Sequence, residues 1–413
     1  MAGRSNLPSA QVVANRCFDT ASAIDSTIAS SLRNDLEGVA DHFVDSGGLV
    51  NVFIRQVVPW DDLVSSPNAG HQAIADLLLT GGADHAISTN YDQLIERSVW
   101  DLGADFVASL DGVEANLHSA SHRPLLKVHG CCNRDRDNTV WTRRQMTMEP
   151  IQTRIRNSAA WLTANLREKD IVVVGFWSDW AYLNVLLETC LVSAHPAIVV
   201  VVNGSSAADL EAKAPGLWSV FHAAGVDFLH EQASGEDVLN ELRTEFSCAY
   251  LRGMLMTGKS AFETRFTTPC PPAWLDTHSM SIEDIYAWRR DAEGQPIGRP
   301  ARSRSPRGDC QSVAFFHLAL RHSGASLEGS LYRFNDTLIR VVNGAGRWLP
   351  EMQAEYSREV PAAPEPDIVF CVGSDDLGVP GNIVRSGTAS TTIRPAPRGR
   401  WLDSDDARVL LGI

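Results

Sequence analysis

No apolar run in this chain approaches the roughly 18 residues that a membrane-spanning helix requires. The longest strongly apolar stretches are Ile171 to Val174 and Ala197 to Val202, so no membrane segment is expected. The opening residues, Met1-Ala2-Gly3-Arg4-Ser5-Asn6, are polar at once and lack the apolar core of a secretory signal. Cys-x-x-Cys pairs are missing too: the eight cysteines stand at 17, 131, 132, 190, 248, 270, 310 and 371. That spacing fits no disulfide framework and suits reduced thiols in a cytoplasmic protein. Positive charge is in deficit, 36 Lys and Arg against 50 Asp and Glu for a net charge of −14. Such a field repels duplex phosphate, so direct nucleic-acid binding is not expected. What is present is ordinary globular material, 413 residues that are 44% hydrophobic and 21% charged. A chain of that length predicts two or three folded domains.

Helical periodicity opens the chain, with Val12, Val13, Phe18, Ile24, Ile28, Leu32, Leu36 and Val39 recurring at steps of three and four. A further helix is predicted from His71 to Leu79, ended by Gly81-Gly82. Then a repeated order begins, in which a short apolar run ends in a polar turn. Ala86-Ile87-Ser88 precedes a helix over Tyr91 to Leu102. Leu125 to Val128 precedes Gly130, Ile171 to Val174 precedes Gly175, and Ala197 to Val202 precedes Asn203-Gly204. Val226 to Leu229 adds a fifth run, and Glu236 to Phe246 a closing helix. These runs are β-branched and unalternated, as strands buried on both faces of a parallel sheet are. The fold class expected is α/β, a doubly wound Rossmann-like parallel sheet, with a smaller mixed α+β domain after it. The domains are expected at 1–250, with a linker and irregular segment at 251–310 and an accessory domain at 311–413. Within the last, a helix is predicted at Val313 to Arg321. A hairpin should join Leu331–Phe334 to Leu338–Val342 through Asn335-Asp336, and a strand should lie at Asp367 to Val372.

In doubly wound sheets ligands lie at the carboxyl ends of the strands, and there the chain concentrates its polar residues. Thr89, Asn90 and Asp92 follow one predicted strand; an asparagine there can hold a ribose hydroxyl or a water. The structural alternative is that Ser88 or Asn90 caps the next helix and Asp92 complements its dipole. His129 ends a second strand, followed by Gly130, and can serve as a general base near neutral pH.

Taken in order, these segments resemble the sirtuin-like family of NAD-consuming domains, and within it the zinc-free bacterial branch linked to antiphage defence. His71-Gln72-Ala73-Ile74-Ala75 with Ser88-Thr89-Asn90-Tyr91-Asp92 looks like that branch's helix and Thr-Asn-Tyr-Asp block. His129-Gly130 looks like the family's catalytic His-Gly. Val174-Gly175-Phe176-Trp177-Ser178-Asp179 is similar to its Gly-x-Ser-x-Asp cofactor loop, and Val201-Val202-Asn203 to the strand end that holds the adenosine ribose. The resemblance covers residues 1–250. It implies an NAD glycohydrolase that cleaves the nicotinamide–ribose bond, with Asn90 and His129 catalytic. Gly3, Ser5, Thr89, Asp92, Gly175, Ser178 and Asn203 would bind NAD. It further implies an NAD-depleting effector that forms an oligomer and works with a defence partner of ATPase or short Argonaute type. A regulator that binds NAD or ADP-ribose without turnover is the alternative, and an NAD-dependent protein deacylase a third reading. Deacylating sirtuins carry two Cys-x-x-Cys pairs after the His-Gly, whereas Cys131-Cys132 alone follows here, so no metal is expected. The family also opens with an apolar strand and a Gly-Ala-Gly-x-Ser loop. Ala2-Gly3-Arg4-Ser5 and Leu7-Pro8-Ser9 are similar to the end of that loop and its sequel, but no strand precedes them. The expectation is that an upstream extension supplies the strand, or that Asp367 to Val372 closes the sheet centre instead.

Overall fold

Ser9 opens the first helix, its hydroxyl accepting the Val12 N–H at 3.4 Å, and α1 (Ala10–Ile24) turns Val13, Cys17, Phe18 and Ala21 inward. Asp35 caps α2 (Leu36–Asp45) in the same manner, through the Gly38 N–H at 2.9 Å. A wide helical turn over Leu49–Val57 then buries Phe53 and Ile54. Together these pieces bury an aromatic-rich cluster that includes Phe43, Phe53, Trp60 and Trp141. α3 (Ala69–Thr80) ends at Gly81, whose φ of +72° reverses the chain where a side chain would be strained. This is a computed structural model; it describes residues 7–413 except 168, 193–196, 224, 279, 302–303, 307–309, 360–363 and 375–398.

By contact density the chain divides into two units. Unit 1 comprises residues 1–78, 83–98 and 106–241; unit 2 comprises 79–82, 99–105 and 242–413. In unit 1, β1 (Ala86–Ser88) is followed by α4 (Leu94–Asp101) and α5 (Gly112–His118), and then β2 (Leu125–Lys127) pairs parallel to β1. α6 (Ile151–Asn165), β3 (Ile171–Val174), α7 (Ala181–Val192), β4 (Ala197–Val202), α8 (Ala207–Lys213), α9 (Pro215–Phe221) and β5 (Val226–Glu231) complete the α/β alternation. β3, β4 and β5 form a second parallel sheet in that order. Among the described residues no strand joins the two sheets, so β1 and β3 each keep an unpaired edge. Ile87 and Val172 on those strands are 40% and 45% exposed, where a continuous parallel sheet would cover them.

α10 (Gly235–Phe266) runs 32 residues, far beyond the helix predicted to end at Phe246. Its later turns carry Leu251, Met254, Leu255 and Phe262 into the core of unit 2. The stretch 251–310, expected to be irregular, also holds α11 (Ile282–Glu293), capped by Ser281 and ended by Gly294 in the left-handed region. The sequence hides this helix because its buried face contains Arg289, Arg290 and Asp291 beside Trp288. Arg289 lies over the rings of Phe246 and Tyr250 at 4.2 and 4.0 Å, and Arg340 grips Asp291 at 2.7 Å and Glu359 at 2.8 Å. Buried charges of this kind persist where they are paired or stacked.

After α12 (Cys310–His322), unit 2 forms a five-stranded sheet in the order β10-β9-β8-β7-β6. It contains β6 (Ser326–Glu328), β7 (Leu331–Phe334), β8 (Thr337–Asn343), β9 (Ile368–Val372) and β10 (Arg400–Leu402). α13 (Leu349–Tyr356) and α14 (Ser404–Leu411) complete it. β7 and β8 are the expected hairpin, turned by Asn335 and Asp336 at φ +47° and +61°, residue types that tolerate that region. β9 does not fill the centre of the unit 1 sheet, as one expectation had it. It pairs parallel with both β8 and β10, because its Val369, Phe370, Cys371 and Val372 are buried in the core of unit 2.

Candidate active site

The register of β1 and β2 decides which residues meet at their carboxyl ends. Ser88 lies opposite Lys127, and the pairing continues one step further as the Val128 N–H donates to the Ser88 carbonyl at 3.1 Å. The chain segments bearing Asn90 and His129 therefore leave the sheet side by side. Asn90 is exposed and Thr89 half-buried, while the Asn90 N–H donates to Ser88 Oγ at 3.0 Å. The next helix begins later than predicted, at Leu94, because Asp92 is buried and its carboxylate accepts the Leu94 N–H at 3.1 Å. Asp92 thus serves the helix start itself, where the structural alternative had Ser88 or Asn90 as the cap and Asp92 as complement to the dipole. Tyr91 turns the other way, stacking on Trp141 with centroids 4.4 Å apart and donating its hydroxyl to the Val140 carbonyl.

Lys127 fastens this loop from beneath. Only 1% exposed, it pairs with Glu96 at 2.7 Å and donates to the Asp92 carbonyl, linking β2, α4 and the Asn90–Asp92 segment. Cys132 adds a second tie, its N–H donating to the Tyr91 carbonyl at 2.9 Å. Gly130 needs its φ of +94°, and a Cβ there would stand 3.1 Å from the Thr139 methyl. The turn after His129 therefore requires glycine.

His129 is 4% exposed. Burial, with the charge of Arg154 adding to it, lowers its pKa to about 4, so the ring is neutral near pH 7. Its Nε2 lies 3.1 Å from the hydroxyl of Tyr182, and Trp180 packs against the ring at 4.6 Å. Tyr182 is held protonated by burial. Arg154 donates to the Asn138 carbonyl at 2.9 Å, whereas its Nε and Nη2 have no hydrogen-bond partner among the described residues. It is a cation with donors to spare.

Gly175, Ser178 and Asn203 follow β3 and β4 in the other sheet. The Gly175 N–H donates to the Val202 carbonyl at 3.2 Å, setting the Gly175 turn beside Asn203. Gly175 is exposed and Ser178 and Asn203 half-buried; Asn203 Oδ1 accepts the Ser205 N–H at 3.0 Å. Asp179, the last residue of that loop, turns away to cap α9 through the N–H groups of Gly216 and Leu217 at 3.1 and 2.7 Å. The loop then runs into Trp180 and Tyr182, which carries it to His129. Gly3 and Ser5 lie outside the described residues. Sequence reasoning missed Lys127, Arg154, Trp180 and Tyr182. Only Trp180 and Tyr182 had a signal, their position directly after the Gly-x-Ser-x-Asp segment.

Among the described residues no three His, Cys, Asp or Glu side chains are grouped to hold a metal ion, and no helix is long and apolar enough to cross a membrane. Parallel strands ending in polar turns bring the Asn90 and His129 segments off one sheet end, the end at which α/β proteins bind their ligands. Residues 84–219 match the family model described as SIR2-like domain. That match, over the segment carrying Asn90, His129, Gly175, Ser178 and Asn203, supports a sirtuin-like domain there, with NAD-related activity in general. No curated protein matches the chain.

Proposed function

We propose that the protein is an NAD glycohydrolase. The observation carrying this reading is the parallel register of β1 and β2, which sends the Asn90 and His129 segments off the same sheet end. In the reaction the bond between nicotinamide and ribose C1′ breaks and its electron pair leaves with nicotinamide. Positive charge develops on the ribose, and water adds to C1′. Asn90 orients the water or the ribose hydroxyls, and His129, neutral at working pH, accepts the proton the water gives up. By resemblance Asp92 would lie by the nicotinamide carboxamide, Gly175 and Ser178 by the phosphates or ribose and Asn203 by the adenosine ribose, with Thr89 in the same binding set. Gly3 and Ser5 belong to the same binding set by resemblance. The reaction needs no metal.

The wider setting rests on the resemblance alone: an NAD-depleting effector of antiphage defence, cytoplasmic and oligomeric, held silent by a partner of ATPase or short Argonaute type. A second reading has its own observation. Tyr182 occupies His129 Nε2 and Trp180 covers the ring, an arrangement suited to a regulator that binds NAD or ADP-ribose without turning it over. Nicotinamide release from NAD by the purified chain separates the two readings. Release that is lost in Asn90→Ala and His129→Ala, with far-ultraviolet dichroism unchanged, is the expected result. Equal release by either variant overturns the catalytic assignment, and tight NAD binding without release favours the regulator.

A further inference from the structure

The reaction above asks His129 to take a proton from water, yet the ring is 4% exposed and two aromatic side chains close over it. The Tyr182 hydroxyl meets His129 Nε2 at 3.1 Å, and the Trp180 ring lies 4.6 Å from the imidazole, centroid to centroid. Both are themselves half-buried and so reach the surface. Their position is fixed from the far side. Arg143 sets its guanidinium over the Trp180 ring at 5.2 Å and donates from Nη2 to the Asp179 carbonyl at 3.1 Å. Glu37 on α2 holds that arginine twice, accepting the Arg143 backbone N–H at 2.8 Å and a guanidinium N–H. The same turn is tied to α2 at two further points, as Thr142 donates to Asp41 and Arg144 to Asp45 at 2.7 Å. Glu37, Asp41 and Asp45 recur at steps of four residues, which places them on one face of the helix. An unbroken chain of contacts thus runs from Glu37 through Arg143, Trp180 and Tyr182 to His129, and all of it lies in unit 1.

We propose that Trp180 and Tyr182 form an autoinhibitory cover on His129 and that the Glu37–Arg143 pair is its latch, a regulation of the NAD site that rests on the function proposed above. Closed, the cover occupies Nε2 and keeps water from the ring. Open, it leaves the imidazole free to accept the proton. The latch suits that duty because it lies outside the core. The side chains of Arg143 and Glu37 are 53% and 28% exposed, and exposed ion pairs and cation–π contacts are each worth only a small multiple of thermal energy. Breaking them frees the cover without unfolding the sheet, unlike loss of the buried Lys127–Glu96 pair. Leu183 and Leu186, which follow on α7, are buried and hold that helix in place. The movement is therefore one of the Trp180 and Tyr182 side chains and not of α7.

The test compares the full chain with its Glu37→Gln, Arg143→Gln and Tyr182→Phe variants by two readouts. One is nicotinamide release from NAD. The other is carbethoxylation of His129 by diethyl pyrocarbonate, mapped by peptide mass against the exposed His278. In the unaltered chain His129 is expected to react far more slowly than His278. Each latch variant is expected to raise both His129 labelling and nicotinamide release by roughly three- to tenfold, with a nearly unchanged melting temperature, as for other surface substitutions. Tyr182→Phe keeps the ring and removes only the hydroxyl; it is expected to raise both as well, and it decides the matter if a latch variant melts early. Unchanged His129 labelling in all three variants overturns the cover. Labelling that rises while nicotinamide release falls shows that the two aromatics assist His129, and overturns the autoinhibitory role. If no form of the chain releases nicotinamide, the function proposed above fails, and His129 labelling still decides whether Glu37 and Arg143 hold the cover closed.

Discussion

Lys127 shows how much one side chain can hold. Its ammonium is buried with Glu96 at 2.7 Å and donates to the Asp92 carbonyl, so removing it strands a buried carboxylate. Breaking such a pair from one side costs about 3–5 kcal/mol. Lys127→Met is expected to lower the urea midpoint by that equivalent, and adding Glu96→Gln to recover part of the loss by removing the orphaned charge. A change under 1 kcal/mol in the single variant would show that the pair is not closed in solution. At this scale the sequence marked Asn90 and His129 as candidates, because each is a polar residue following an apolar run. It did not reveal Tyr182, 53 residues from the histidine it touches, or Arg154, because nothing in a local pattern marks a contact made across elements.

Among the elements, the turn after β3 divides its labour. Gly175 and Ser178 stay at the strand end, while Asp179 serves α9 as a remote cap through two backbone amides. Loss of a capping carboxylate costs about 1 kcal/mol, so Asp179→Ala is expected to lower the melting temperature by a few degrees. An unchanged melting temperature combined with weakened NAD binding would mean instead that Asp179 serves the ligand. The strands themselves were legible: all five apolar runs before residue 235 are strands, since short β-branched runs between glycines have few other uses. α10 and α11 were misjudged in extent or existence. α11 buries arginine and aspartate on its inner face, which inverts the polarity pattern from which helices are read.

At the scale of the whole chain, buried histidines set the acid limit of stability. His129 and His85 are lowered to about 4, and His317 well below its ordinary value, chiefly by burial. Each binds a proton more readily in the unfolded chain, so between about pH 4 and the ordinary 6.5 the unfolded state holds more protons and stability rises with pH. The contribution is complete above pH 6.5 and is lost as the pH falls toward 4. A tenfold change in proton affinity is worth ~1.4 kcal/mol, which makes His129 alone worth roughly 3 kcal/mol. The melting temperature should therefore drop between pH 7 and pH 4.5, and His129→Gln should flatten that drop. An equally steep dependence in the variant would show that the ring is protonated in the folded protein.

The strands of unit 1 and the polar residues at their ends were determined by sequence alone, because β-branched runs, glycine stops and capping residues act within a few positions of one another. Tertiary structure alone decided that β9 belongs to the sheet of unit 2, that β1–β2 and β3–β5 remain separate sheets, and that Tyr182, Arg154 and Lys127 surround the His129 segment. Those outcomes depend on which buried surfaces and charges find partners across tens to hundreds of residues, and a local pattern carries no record of that competition.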